Sequence, residues 1–346
     1  MTAKRRLAVL TSLLLLAAGC ASSAAQPATG ALTSIGAGLS GPAGYVATVY
    51  ATGVANVAAL ATDRQQRLWV AAAAFSDSGA DAVYLVSAAG ATPQKVLSDV
   101  HTPLGLLWLD ETLFVGSAER VDAYVGFDGT AFATHRTVLT LPAGVGETNG
   151  LALGPDGRLR LGISAPCDHC VPTSEYSGAV VSFRPDGTDL RVDAGGIRAP
   201  VGLTYDPASG DLLVTMNQRD DLGEQTPGDL LAVVRSGQSW GFPDCYGQGG
   251  TACAAVPQPV AQLDPHAAVS GVAILGRAAL VAEWAFGKVQ RVALESQGAE
   301  PRGAVTPFLT GLQKPVPVLS SGSAVLVGDW ATGTIYSVTP GETARQ

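Results

Sequence analysis

The sequence predicts an all-β fold, a six-bladed β-propeller that follows a leader and a tether, and three observations predict it. A unit of apolar strand, polar turn and second apolar strand recurs along the chain. The 42 Gly and 21 Pro are spread throughout, which favours many short strands and turns over long helices. Apolar residues reach 47% and charged ones only 14%, ample for a large core and incompatible with wholesale disorder.

The copies begin at Ala58, Gly105, Gly150, Gly202, Gly271 and Pro317, at intervals of 47, 45, 52, 69 and 46 residues. Each interval suits one four-stranded antiparallel blade. Ala58-Ala-Leu-Ala-Thr-Asp leads to Arg67-Leu-Trp-Val, for example, and Gly202-Leu-Thr-Tyr-Asp leads to Asp211-Leu-Leu-Val. Several copies continue into a third strand, such as Gly178-Ala-Val-Val-Ser-Phe and Thr334-Ile-Tyr-Ser-Val. Radial closure of the blades protects strand edges that an isolated sheet would expose. Tyr45-Val-Ala-Thr-Val-Tyr50 is expected to pair with the last blade and fasten the ring. The long fourth interval holds an insertion with Cys245 and Cys253, and long loops on rigid folds tend to carry function.

Residues 1–19 read as a secretory signal: basic Lys4, Arg5 and Arg6, an apolar run from Leu7 to Leu16, then small residues. The run is shorter than the roughly 20 residues that span a bilayer. Leu16-Ala-Ala-Gly-Cys20 looks like a bacterial lipobox, so Cys20 is expected to carry lipid and anchor the exported chain to a membrane. Residues 20–42, mostly small and polar, read as a flexible tether, residues 43–340 as the propeller and 341–346 as a tail.

The formal charge is −8, and loss of Lys4, Arg5 and Arg6 with the signal takes it to −11. A chain this acidic lacks the basic footprint that phosphate neutralisation needs, which excludes nucleic acid as a partner. Cys167, Cys170, Cys245 and Cys253 form an even set in an oxidising compartment. Three connectivities exist for four cysteines; Cys167–Cys170 and Cys245–Cys253 are expected, each closing a local loop. A metal site using Cys167, His169 and Cys170 is the alternative, but no second cluster of soft ligands accompanies it.

The ordered blocks Asn149-Gly-Leu-Ala-Leu-Gly-Pro-Asp-Gly, Cys167-Asp-His-Cys170 and Val181-Ser-Phe-Arg-Pro-Asp-Gly lead to Gly196-Ile-Arg-Ala-Pro-Val-Gly-Leu. Asn217-Gln-Arg-Asp-Asp-Leu-Gly and Ser236-Gly-Gln-Ser-Trp-Gly-Phe-Pro-Asp-Cys-Tyr-Gly complete the run. In this order they resemble the glucose/sorbosone dehydrogenase family of six-bladed propellers, closely over about 141–250 and more loosely elsewhere. The resemblance implies oxidation of a sugar or related hydroxyl compound by pyrroloquinoline quinone with calcium, a histidine serving as general base. It implies calcium on the backbone carbonyls of Gln218 and Arg219, and cofactor contacts from Arg198, Lys314 and Asn149. With no Cys-x-x-Cys-His haem attachment in the sequence, electrons would leave to a separate acceptor.

The departures are informative. The base position falls at Gly146 in Gly146-Glu147-Thr148-Asn149, and none of His101, His135, His169 or His266 aligns with it. Ala199 replaces an Asn, Gln218 a Gly, Lys314 an Arg and Ala285 a Lys of the family pattern. Glu147 is the candidate substitute base. Two other classes stay open: a binding or scaffold propeller without catalysis, and a calcium-dependent lactonase for which Asn149, Asn217, Asp220 and Asp221 offer oxygens. His266 reads as a structural histidine, and Trp240, Trp284 and Trp330 read as blade packing.

Overall fold

The computed structural model describes residues 31–74, 80–294 and 303–341, so the signal and Cys20 lie outside the described residues. Six antiparallel sheets follow one another along the chain. The first blade comprises Val57–Thr62, Leu68–Ala72, Ala82–Val86 and Gln94–Leu97. The second comprises Gly105–Leu109, Thr112–Ser117, Arg120–Phe127 and Phe132–Thr140. Thr148–Leu153, Leu159–Ile163, Ala179–Phe183 and Arg191–Gly195 make the third. Ala199–Tyr205, Leu212–Asn217, Gly228–Val234 and Ala261–Pro265 make the fourth. Val269–Leu275, Ala278–Glu283, Lys288–Ala293 and Val305–Thr310 follow as the fifth. The sixth takes Pro315–Ser321, Ala324–Asp329 and Thr334–Pro340 from the C-terminal end and Tyr45–Thr52 from the N-terminal end.

That last pairing closes the ring as expected, with Tyr45 opposite Pro340 and Thr52 opposite Thr334. The tether, in contrast, ends earlier than residue 42. Thr33–Gly36 and Leu39–Gly41 form a hairpin that adds to the fifth blade through Ser40 opposite Thr310. Ile35 and Leu39 are buried there against Phe308. Two bulky side chains in a run of small ones are enough to dock the segment.

The core is divided into six clusters, one between each pair of neighbouring blades. Side chains alternate across a strand, so a blade strand feeds two clusters at once. Leu212, Val214 and Met216 pack toward the third blade, while Leu213 packs toward the fifth. Both faces are therefore dry, which is why these strands read as continuous apolar runs rather than alternating ones.

The recurring glycine of the innermost strands has a steric reason. A Cβ on Gly105 would stand 2.7 Å from the Asn149 carbonyl oxygen, on Gly150 2.8 Å from that of Val201, and on Gly202 2.3 Å from that of Ser270. On Gly271 it would stand 2.5 Å from the Val316 oxygen. Four of the six inner strands thus lean a bare Cα on the backbone of the next blade. Thr215 Oγ1 ties the same seam, accepting from Gly202 N at 2.8 Å and donating to Ser270 O at 2.7 Å.

Gly202→Ala is expected to lower stability by about 1–3 kcal/mol through this overpacking. Gly195→Ala, where a Cβ meets nothing within 4 Å, should be near neutral. Urea denaturation of the two variants side by side checks the contrast.

Candidate functional site

Every blade sends the start of its first strand to one mouth of the axial channel, and the first, fourth, fifth and sixth add a residue at or just after the end of the second strand. There they enclose a cavity of about 460 Å³. Ala58 and Ala74 come from the first blade, Leu104 and Leu106 from the second, Glu147 and Asn149 from the third. Val201 and Asn217, then Ser270 and Trp284, then Val316 and Trp330 continue round the axis. The wall is largely aliphatic and glycine backbone, with Glu147 as the one ionisable side chain lining it among the described residues.

Burial raises the proton affinity of the Glu147 carboxyl, and the charge of Arg198 partly offsets that rise. Beside it, Asn149 is almost fully buried, its Nδ2 donating to Ser164 Oγ at 2.9 Å and to the Glu147 carbonyl at 3.3 Å. The Glu147 carbonyl also accepts from Ser164 N at 2.9 Å, so the backbone that presents the carboxyl is fixed on both sides.

Gly146 adopts φ 111°, and a Cβ there would lie 2.1 Å from the Ser164 carbonyl oxygen. No side chain can stand on this backbone. The histidine that the resemblance places here is excluded by the local fold as well as by the sequence.

Trp284 and Trp330 line the cavity from adjacent blades, their rings 6.4 Å apart and edge to face. This corrects the expectation of blade packing for both; Trp240 alone fulfils it, buried between the third and fourth blades. Trp330 is steered by its Nε1, which donates to the Ala73 carbonyl at 2.9 Å. The Lys314 ammonium sits 3.9 Å from the Trp284 ring centroid, a cation–π contact, and makes no ion pair among the described residues. A signal for the pair was present: Glu283-Trp284 and Asp329-Trp330 are acid–Trp steps at one register of consecutive blades.

Arg198 and Gln218 do not line the axial cavity. They border a smaller one of about 180 Å³ beneath the insertion, with Trp240, Tyr246 and the Cys245–Cys253 bridge. The insertion reaches back to the third blade through Gln238–Ser239, which runs parallel to Arg191–Gly195. The second bridge joins Cys167 and Cys170 as expected, and among the described residues no cluster of three or more His, Cys, Asp or Glu could hold a metal. Arg198 Nη2 pairs with Asp168 at 2.7 Å. Arg219 forms a fork with Asp221, both contacts at 2.5 Å, and its guanidinium covers the Tyr246 ring.

His266 belongs to this rim. Its Nδ1 lies 2.8 Å from Asp220 Oδ1 and its Nε2 2.8 Å from the Gly223 carbonyl. Both partners can accept from the ring, and the Asp220 bond followed by the Gly223 bond raises the ring's proton affinity. Asp229 anchors the segment from below, accepting from Gln218 N at 2.7 Å and Val269 N at 3.2 Å. Burial dominates those bonds and pushes its carboxyl up to about 6.

The planar polycarboxylate quinone implied by the resemblance fits these residues in three respects. The axial cavity is large enough for a tricyclic ring system. Two indoles offer ring surface, and Lys314 over the Trp284 ring offers positive charge beside it, whereas Arg198 borders the smaller neighbouring cavity. Asn217 Oδ1 and Arg198 Nε are buried without a partner among the described residues, leaving one acceptor and one donor to be met.

No family model matches the chain, and no curated protein matches it. Solved structures do. The pyrroloquinoline quinone-bound aldose sugar dehydrogenase of Streptomyces coelicolor superposes with TM-score 0.70 at 21% identity, covering 86% of this chain and 99% of that one. A putative glucose dehydrogenase of Thermus thermophilus gives 0.68 at 18% identity, covering 85% and 100%. The calcium structure of a Trichoderma reesei enzyme of carbohydrate-active family AA12 gives 0.73 at 15% identity, covering 87% and 96%. The chain has the fold of these sugar dehydrogenases. At such identities the likeness is one of architecture, and the chemistry must come from the residues.

Asp229 yields a pH test. Its folded-state pKa of about 6 lies above the ordinary 3.8, so the folded state holds the proton longer and stability falls as pH rises from about 4 to 6. The loss from this group is on the order of 3 kcal/mol, at 1.36 kcal/mol for each pKa unit. Asp229→Asn should flatten that slope in denaturation curves recorded from pH 4 to 7.

Proposed function

We propose that the chain is a quinone-dependent oxidoreductase acting on a sugar or related hydroxyl compound in the axial cavity, with Glu147 as its base. The observation that carries this reading is the position of Glu147, the one ionisable side chain on the cavity wall among the described residues. A carboxylate whose proton affinity is raised by burial is suited to take a proton near neutral pH.

When bound, pyrroloquinoline quinone supplies the two-electron acceptor for the hydride leaving the substrate carbon. The chain's residues do the rest. Glu147 accepts the hydroxyl proton at its carboxylate, and the charge of Arg198 partly offsets the rise that burial causes in its proton affinity. Trp284 and Trp330 present flat apolar surface that orients a ring, and the aliphatic wall excludes water. Lys314 and Arg198 would hold cofactor carboxylates, with Asn149 fixing the backbone that carries Glu147. Calcium would take oxygen ligands that include the carbonyls of Gln218 and Arg219, a segment that Asp229 fastens through the Gln218 amide. Cys20 would carry the lipid that holds the domain at the outer side of a membrane, and a separate protein would receive the electrons.

Gly146, which admits no side chain, favours a second reading: a binding propeller that keeps the cavity without turnover. The lactonase reading needs metal but neither quinone nor electron acceptor.

Calorimetric titration with calcium and the quinone, followed by dye reduction over a panel of sugars, separates these. Binding with turnover supports the oxidoreductase, binding alone the second reading, and ester hydrolysis without an acceptor the lactonase. Glu147→Gln should lower kcat by about 10²–10⁴ while leaving cofactor affinity in place. An unchanged kcat in that variant removes Glu147 from the role of base.

A further inference from the structure

We infer that the side of the axial cavity around Glu147 selects an apolar ring compound bearing a single hydroxyl, an alicyclic or aromatic alcohol, over a polyhydroxylated sugar. Such an alcohol is the substrate class of the proposed oxidation, on which the word substrate rests; as a ligand it needs no quinone.

The order of the blades gives the cavity two unlike sides. Trp284 and Trp330, from the fifth and sixth blades, make one of them, with the Lys314 ammonium over the Trp284 ring. Across the axis, Glu147 of the third blade lies between Leu104 and Leu106 of the second and Val201 of the fourth. A ligand whose hydroxyl meets the Glu147 carboxylate therefore rests its carbon skeleton on aliphatic side chains. The indole side stays open to a flat cofactor.

The polar groups of this wall are largely committed to the protein itself. Asn149 spends its Nδ2 on Ser164 Oγ at 2.9 Å and on the Glu147 carbonyl at 3.3 Å. Ser270 Oγ donates to the carbonyls of Pro315 and Val316 at 3.2 and 3.1 Å. Gly202 N is bonded to Thr215 Oγ1, which in turn donates to the Ser270 carbonyl. Trp330 Nε1 is held by the Ala73 carbonyl at 2.9 Å. Two acceptors stand open to a ligand: the Glu147 carboxylate, and Asn217 Oδ1, which is buried without a partner among the described residues. A single hydroxyl suits such a wall. A sugar carries hydroxyls on nearly every carbon, and most of them would lose their water against Leu104, Leu106 and Val201 with nothing to bond in exchange. An apolar ring gives up no hydrogen bond there and gains by its burial.

The test is calorimetry on the purified chain without quinone, titrated with cyclohexanol and with myo-inositol, which carries a hydroxyl on every carbon of the same ring. A hydrophobic pocket discriminates against one added hydroxyl by up to about a hundredfold, so cyclohexanol should bind at least about tenfold tighter than myo-inositol. Cyclohexanone, of the same size but with no proton to give, should bind more weakly than the alcohol. Leu104→Trp, which fills the aliphatic side, should abolish cyclohexanol binding, and Leu104→Phe serves the same comparison should the larger residue prevent folding. A cyclohexanol affinity no better than that of myo-inositol or of cyclohexanone overturns the inference, as does binding that survives in the folded Leu104 variant. Selective binding sustains it even where the quinone-loaded protein reduces no dye, a result that removes the proposed oxidation alone.

Discussion

The close approach of the six inner strands around the axis is the constraint on which the rest of the molecule depends. Gly105, Gly150, Gly202 and Gly271 let one strand backbone rest on the next at distances that any Cβ would violate. That spacing sets the width of the channel, and the channel width sets the size of the cavity at its mouth. It also fixes which residues face the axis. Positions flanking each glycine can only look inward or along the seam, so Asn149 and Val201 reach the cavity from opposite sides of neighbouring seams.

The acids of the mouth divide into two groups by what they bond. Asp81 accepts from Ala74 N and Thr102 N at 2.7 Å each, joining the first blade to the loop that enters the second. Asp229 does the same between the fourth and fifth blades, and the fully buried Asp329 gathers the amides of Gln313, Lys314, Ala331 and Thr332. These carboxylates satisfy backbone donors that would otherwise be buried unpaired. They are mortar between blades. Among the described residues Glu147 takes no such amide, which sets it apart from its neighbours more sharply than charge or burial alone.

Much of the architecture was legible because its causes are local or repeated. The blade count followed from copies at near-constant spacing, and the disulfides followed from cysteines three and eight residues apart. The closing strand was legible because an edge needs a partner. The site was less so. That Ile35 and Leu39 dock the segment before residue 42 depends on a complementary surface around Phe308, far along the chain. That Trp284 and Trp330 turn inward rather than into a blade depends on their register at the end of second strands. The absence of a histidine at Gly146 was visible in the sequence, but its steric enforcement by the Ser164 carbonyl was not. Nor could spacing show that Asp168 already occupies Arg198, since a strandless loop brings them together.

The closing pair, Tyr45–Thr52 against Thr334–Pro340, places the first long strand of the chain beside the last. A propeller built this way is a ring with a single clasp. Joining ends separated by about 290 residues costs on the order of 5 kcal/mol in loop entropy, recovered only when the whole circle is in place. The five blades made entirely from consecutive strands can form as local meanders, whereas the sixth waits for both termini. The order of assembly is therefore written into the topology: the first long strand to emerge is among the last to find its place, and until then the sixth blade stands with an open edge.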